Sequence, residues 1–305
     1  MKKTEKNVRK KAKAKKKTAR RGISPVVAVI LLGALALGLY ALVHHFIDAE
    51  EETPAVSDDG TVEVFNGDGS INITPQDGVP VNDLEKDDFE VDGDGTVSYI
   101  GTEYTASRGI DVSSYQGDID WQQVSDSGID FAIIRIGGMY YGSGELYSDE
   151  NFVKNIEGAK AAGLRVGAYF FSQAITSDEA KSEAQFVLGL LESRELDLPV
   201  FFDWERISTD TARTDGLDNE TLTDCAVTFC ETVSQAGYDA GVYIYNDTGY
   251  YGYDLARLQD YTLWCVGIGS YPCFYYAHSL WQYSISGTVP GINATCDLDM
   301  MFERK

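Results

Sequence analysis

From residue 108 onward, short apolar runs alternate with longer stretches of helical periodicity, and this alternation limits the fold more than any other feature. The apolar runs are RGIDVS (108–113), IDFAIIRI (129–136), LRVGAYFF (164–171), LPVFFDWE (198–205), DAGVYIYN (239–246), YTLWCVGI (261–268), SLWQYS (279–284) and CDLDMMF (296–302). Each has the length and β-branched or aromatic content of a strand. Helical stretches fall at 149–163, 177–194 and 218–236, opening near Ser148, Ser177 or Asp218; Gly163 and Gly237 stand near two of their ends. Strand, helix, strand in repetition predicts parallel β structure with crossover helices. Beyond the fifth strand the helices become short or absent. The expected fold is therefore α/β: a small, irregular β/α barrel of about eight strands, with helices reduced in its second half.

Two of the predicted strands carry acids where a barrel does its chemistry. In VFFDWE, Asp203 and Glu205 end the fourth strand two residues apart, which places both on one face, pointing into the barrel mouth. Asp111 lies in the first strand, and Asp297 and Asp299 in the last. First and last strands become neighbours when a barrel closes, so Asp111 and Asp297 are expected to approach each other. A mouth lined by carboxylates, without Lys or His at the strand ends, suits glycoside hydrolysis. One protonated acid donates to the leaving oxygen, and an ionised one stabilises positive charge at the anomeric carbon or attacks it. Glu205, longer and beyond the strand end, is the expected general acid; Asp203 is its stabilising or orienting partner. The 19 tyrosines and four tryptophans supply sugar platforms: Tyr115, Tyr169, Tyr245, Trp264 and Trp281, with Asp299, are the expected substrate-binding residues. A hard cation held by Asp111, Asp203, Glu205 and Asp297 is an alternative use of the same acids. The expectation is for no metal and no cofactor.

The formal charge of −23 conceals a split. Residues 1–21 hold twelve of the 25 Lys and Arg with a single Glu, leaving 13 basic against 47 acidic residues in the rest. So acidic a body repels phosphates, which excludes non-specific nucleic-acid binding. The basic arm precedes ISPVVAVILLGALALGLYALV (23–43), an uncharged run long enough to span a bilayer. The positive-inside rule then puts residues 1–21 in the cytoplasm. The expected organisation is a basic cytoplasmic arm (1–21), a transmembrane signal anchor (22–47), an acidic flexible spacer (48–107) and a catalytic domain (108–305). That domain faces the cell wall on the outside, as a monomer; secretion after signal cleavage is the alternative. The spacer is assigned from its Asp-, Glu-, Gly- and Ser-rich composition, including AEEETPAVSDDG and EVDGDGTVSY. Five cysteines cannot all pair within one chain, and no spacing suggests zinc.

RGIDVSSYQGDIDW, FAIIRIGG, GLRVGAYFF, LPVFFDWE, GVYIYN, LWQYS, GTVPGI and CDLDMMF occur in the order found in glycoside hydrolase family 25 lysozymes. The resemblance covers roughly residues 108–303. It implies N-acetylmuramidase activity, the cleavage of the β-1,4 bond between N-acetylmuramic acid and N-acetylglucosamine in the glycan strands of peptidoglycan. It implies that Glu205 is the catalytic acid, with Asp203, Asp111 and Asp297 as its companions. It also implies a substrate whose 2-acetamido group can act as internal nucleophile, held by Asp203 or Asp297. The chain departs from the family pattern in reading Tyr169-Phe170-Phe171 where Y-H-F is frequent, and in carrying Asp299 where Asn is common. A non-catalytic glycan-binding module and a glycosidase for another amino-sugar polymer are the alternatives.

Overall fold

The computed structural model describes residue 57 and residues 60–65, 69–93 and 95–305. The basic arm and the apolar run 23–43, with the anchor expected there, lie outside the described residues. Among the described residues no helix is long and apolar enough to cross a membrane.

All eight predicted strands form, as β5 (Tyr104–Val112), β6 (Phe131–Met139), β8 (Arg165–Ser172), β9 (Val200–Trp204), β10 (Ala240–Tyr245), β11 (Thr262–Val266), β12 (Leu280–Gly287) and β13 (Cys296–Arg304). A short β7 (Leu146–Ser148) folds back on β6. The sheet runs β5-β13-β12-β11-β10-β9-β8-β6-β7, and a further β5–β6 pairing closes it into a barrel. Seven of its strands are mutually parallel, but β13 is antiparallel to both β12 and β5. This corrects the expectation of a parallel sheet throughout. The connection 288–295 is shorter than the dozen or so residues that a parallel crossover needs, so the chain turns back instead.

The helices follow their signals. Helix α1 (Trp121–Asp126) precedes β6, α2 (Phe152–Ala161) precedes β8, α3 (Ser177–Leu191) precedes β9 and α4 (Asn219–Gln235) precedes β10. Asp218 caps α4 as expected, accepting from the backbone N–H of Thr221. The cap of α3 is Thr176 rather than Ser177, and that of α2 is Asn151 rather than Ser148. After β10 only the six-residue α5 (Asn246–Tyr251) and a 3-10 turn remain.

Side-chain alternation divides the apolar residues between two cores. Phe131, Ile133, Phe201, Tyr243, Trp264, Leu280 and Met301 fill the barrel interior. Val200, Phe202, Ile134 and Val242 face outward onto Phe229, Val187 and other helix residues. Interior rings lie over glycines: a Cβ on Gly109 would fall 2.1 Å from the Phe131 ring, and one on Gly241 would fall 2.4 Å from Phe201. The five cysteines form no disulfide with one another.

The stretch expected as a flexible spacer is built differently. Strands β1 (Val62–Phe65) and β2 (Ser70–Ile73) pair as a hairpin, and Val62, Val64 and Ile73 are buried in the outer core. Gln76 then clamps the barrel: its side chain donates to the Tyr253 carbonyl at 2.9 Å and accepts from the Leu255 N–H at 2.8 Å. Val81 bridges to Tyr276. A second hairpin, β3 (Phe89–Val91) with β4 (Val97–Tyr99), lies against β12 and β13 where, among the described residues, no helix covers the sheet. Leu84 and Val97 pack there with Trp281, Tyr283, Met300 and Phe302, and the Phe89 ring meets Trp281 edge-on at 5.6 Å. Sparse apolar residues in an acidic stretch thus do the work that helices do elsewhere. The first barrel strand also starts at Tyr104, four residues before the predicted boundary.

Candidate active site

Phe201, Asp203 and Glu205 follow one another on the inward face of β9. Phe201 fills the barrel and Asp203 lies above it, 4% exposed. Glu205, one residue past the strand, is half-buried at the mouth. On β10 the same alternation brings up Tyr243 and then Tyr245, whose hydroxyl donates to Glu205 Oε2 at 3.1 Å. On the opposite wall Asp297 of β13 is the register partner of Asp111 on β5. The antiparallel course of β13 causes this. It brings the beginning of the last strand to the same rim as the end of the first.

The barrel floor is a hydrogen-bonded chain. The Tyr243 hydroxyl donates to Gln282 Oε1 at 2.8 Å, and Gln282 Nε2 donates to Asp111 Oδ2 at 2.7 Å. The two bonds fix which way the Gln282 amide points. At the rim Arg135 of β6 donates from Nε to Asp149 at 2.8 Å and from Nη2 to the Ser114 hydroxyl at 3.1 Å. Its charge is therefore spent on bracing the loop that follows β5.

So many acids in so little water cannot all ionise near neutrality. Burial pushes the Asp203 carboxyl well up, and the neighbouring Glu205 charge adds to this, while Arg135 opposes it. Burial also raises Glu205, with hydrogen bonds from Tyr245 and Asp203 pulling back. Asp111 is raised by burial and then by the charges of Asp299 and Asp297. Asp297, the least enclosed of these aspartates, is pushed up to about 6 by burial and by Glu205.

The segment below Glu205 is held from behind. Glu183 on α3 is fully buried and accepts from the Ser172 hydroxyl at 2.6 Å and from the Gln173 N–H at 3.2 Å. Gln173 in turn donates to the Glu205 carbonyl at 3.4 Å and accepts from the Thr214 hydroxyl at 3.0 Å. Burial carries Glu183 up to about 8.

The structure therefore gathers Glu205, Asp203, Asp111 and Asp297 at one mouth, with Tyr169 and Tyr245 beside them. Tyr169 is half-buried, edge-on to Trp264 at 6.2 Å. Tyr115 stands in the turn after β5, 74% exposed. Three expected substrate contacts are corrected. Trp264 is 1% exposed inside the barrel, with its Nε1 donating to Asp299. Trp281 is equally buried, but on the outer face, where its Nε1 donates to the Gly267 carbonyl. Asp299 is 0% exposed. None of the three presents a face or an oxygen to a sugar. Tyr243, Gln282 and Arg135 belong to the site and were not anticipated. Their signals were a Gln within LWQYS and an Arg within FAIIRIGG, polar residues in otherwise apolar strands. Among the described residues no cluster of acids, His or Cys has the arrangement of a metal site.

The model of glycosyl hydrolases family 25 matches residues 110–292. The chain is 29% identical over 198 residues to an autolytic lysozyme of Clostridium acetobutylicum, a match that covers 64% of this chain and 56% of that protein. It thus spans little more than half of that relative's length. It is 27% identical over 291 residues to lysozyme M1 of Streptomyces globisporus, covering 92% of this chain and 91% of the other. Among solved structures, a family 25 glycosyl hydrolase from Bacillus anthracis superposes with a TM-score of 0.55 at 23% identity, covering 66% of this chain and 91% of that one. The modular autolysin LytC of Streptococcus pneumoniae reaches a TM-score of 0.57 at 23% identity, covering 83% of this chain and 58% of that one. These two likenesses concern the fold. The family match includes Asp111 and Asp203–Glu205 and covers more than half of the chain, and on that ground the chain belongs to glycosyl hydrolases family 25.

Proposed function

We propose that the protein is a peptidoglycan hydrolase of the lysozyme type, cleaving the β-1,4 bond between N-acetylmuramic acid and N-acetylglucosamine. The observation that carries this is the half-buried Glu205, lifted by burial and backed by the buried Asp203, facing a wall that holds Asp297 and Asp111. Glu205 donates its proton to the glycosidic oxygen. Asp297 is ionised above pH about 6 and stabilises the positive charge that develops at the anomeric carbon, together with Asp111. Asp203, two residues before Glu205 and buried beneath it, orients the Glu205 carboxyl. Full-length protein is incubated with purified peptidoglycan, and the products are reduced and read by mass spectrometry. New reducing ends on N-acetylmuramic acid are the expected result. New ends on N-acetylglucosamine, or none from folded protein, would reject the assignment.

Two pH effects follow from the same roles. If Asp297 works as an anion, kcat/KM rises as pH increases through about 6, and Asp297→Asn flattens that acid limb while lowering the plateau. Tyr245→Phe removes a donor that favours ionised Glu205. Glu205 then keeps its proton to higher pH, and the alkaline limb moves upward by up to about one unit. A pH–rate profile of each variant checks both; a downward move for Tyr245→Phe would contradict the role given to Glu205.

The apolar run 23–43 and the basic arm before it support placement as a single-pass membrane protein, with the catalytic domain outside and facing the wall. Resistance of the full chain to alkaline extraction from membranes tests this; release of a shortened chain into the medium would favour signal cleavage.

A further inference from the structure

Asp299 sits inside the barrel, out of reach of solvent and of any sugar. Its Oδ1 accepts from Trp264 Nε1 at 2.9 Å. Its Oδ2 meets no donor among the described residues. A buried carboxylate oxygen left bare is costly, and no bulk water reaches it. Its cross-strand neighbours are Gln282 on β12 and Gly109 on β5. The Gln282 bonds go to Tyr243 and Asp111 instead. The acid beside it is Asp111, whose register partner is Asp297, two residues before Asp299, so the two buried carboxyl groups stand diagonally on the same inward face of β5 and β13. Two carboxyl groups can share a hydrogen bond only if one of them carries a proton.

We propose that Asp111 and Asp299 form a buried carboxyl pair that holds a single proton, and that Asp299 is a positioning residue that orients Asp111 through it. Asp111 then accepts from Gln282 through Oδ2 and shares the proton with Asp299 through its other oxygen. The pair contributes one negative charge beneath the mouth instead of two. The surroundings agree. Asp297 on β13 and Asp203 on β9 add negative potential, and Trp264 on β11 and Gln282 on β12 offer neutral donors only. Tyr283 and Cys296, the other titratable groups that sense Asp299, are themselves pushed upward and neutral near pH 7. Tyr169 senses Asp111 and is likewise raised. Among the described residues no cation pairs with Asp299.

The inference rests in part on the role given to Asp111, so its test has an arm that needs no turnover. In the folded protein the pair keeps a proton that both acids lose when unfolded, where their pKa is about 3.9. Folded protein therefore binds more protons than unfolded protein above that pH, and wild-type stability falls as pH rises. Asp299→Asn supplies a permanent N–H donor to Asp111 and an acceptor to Trp264, and needs no proton. Thermal unfolding of wild type and Asp299→Asn from pH 5 to pH 8 should show the variant gaining in Tm over wild type as pH increases. A difference of constant size, or one that shrinks, overturns the proposal even if the protein proves to be a muramidase. In the second arm Asp299→Leu, which strips Asp111 of its partner, loses about tenfold or more in kcat on peptidoglycan, and Asp299→Asn recovers most of it. Equal losses in folded Leu and Asn variants would also overturn it. If the Leu variant does not fold, the pH series on Asp299→Asn decides alone. If neither wild type nor variants turn over peptidoglycan, the proposed function fails, while the unfolding arm still reports on the pair.

Discussion

Glu205→Gln should lower peptidoglycan lysis by at least about 100-fold while leaving the fold intact. A positioned general acid contributes roughly 10²–10⁴ in rate, and an amide of the same shape has no proton to give. The structural cost is small because little depends on the charge. The Gln Oε1 can still accept from Tyr245, and the bond from Gln173 goes to the backbone carbonyl of residue 205, which is unchanged. Replacing a carboxyl beside Asp203 also removes a repulsion between two buried acids. Tm is therefore expected to stay level or rise. Turbidity loss on purified peptidoglycan, with unfolding followed in parallel, measures both quantities. Undiminished lysis by the variant would move the acid to another residue. Undiminished glycan binding without any lysis in wild type would instead favour a binding module.

The other large effect concerns the domain boundary. A fragment starting at residue 108 removes both hairpins, the Gln76 clamp and the first residues of β5. It should fail to fold stably, whereas one starting at residue 57 should fold. Leu84, Phe89, Val97 and Tyr99 are the partners of Trp281, Met300 and Phe302 on the outer face of β12 and β13. Fully burying a large apolar side chain contributes about 1.5–3 kcal/mol; with Leu84 and Val97 buried and Phe89 and Tyr99 partly so, the four together supply a large share of the stability of about 5–15 kcal/mol expected of a domain. Removing residues 104–107 also unpairs the end of β13, since Arg304, Glu303, Phe302 and Met301 lose their register partners. Thermal unfolding of both fragments decides this. Equal Tm values would show that the hairpins are dispensable.

The barrel was legible from the sequence because a period-2 apolar run with β-branched and aromatic residues declares a strand wherever it is buried. The spacing of Asp203 and Glu205 then settles which side both face, since alternation is a local property. Asp111 and Asp297 could be paired in advance because closure makes the first and last strands neighbours. The roles of Trp264 and Trp281 were not legible. Both lie on predicted strands, but whether an aromatic lines a groove depends on what covers it, and Trp281 is covered by a hairpin some 190 residues earlier in the chain. That hairpin was hidden by its composition. Leu84, Phe89 and Val97 are thinly spread among acids and glycines, so the segment resembles a solvated linker until the bare outer face of β12 and β13 gives it something to cover. Direction was also invisible in β13, because an antiparallel return and a parallel strand share the same side-chain period.

The antiparallel return has an engineering consequence. Tyr104 and Arg304 are register partners, and the Lys305 N–H donates to the Glu103 carbonyl at 3.0 Å. Residues 104 and 305 therefore both lie at the rim opposite the acids. Seven residues of extended strand separate Tyr104 from Asp111, roughly 23 Å at about 3.3 Å per residue. A fluorescent protein, an affinity handle or a solid support joined after Lys305 would attach at that far rim and leave the mouth free to meet an insoluble polymer.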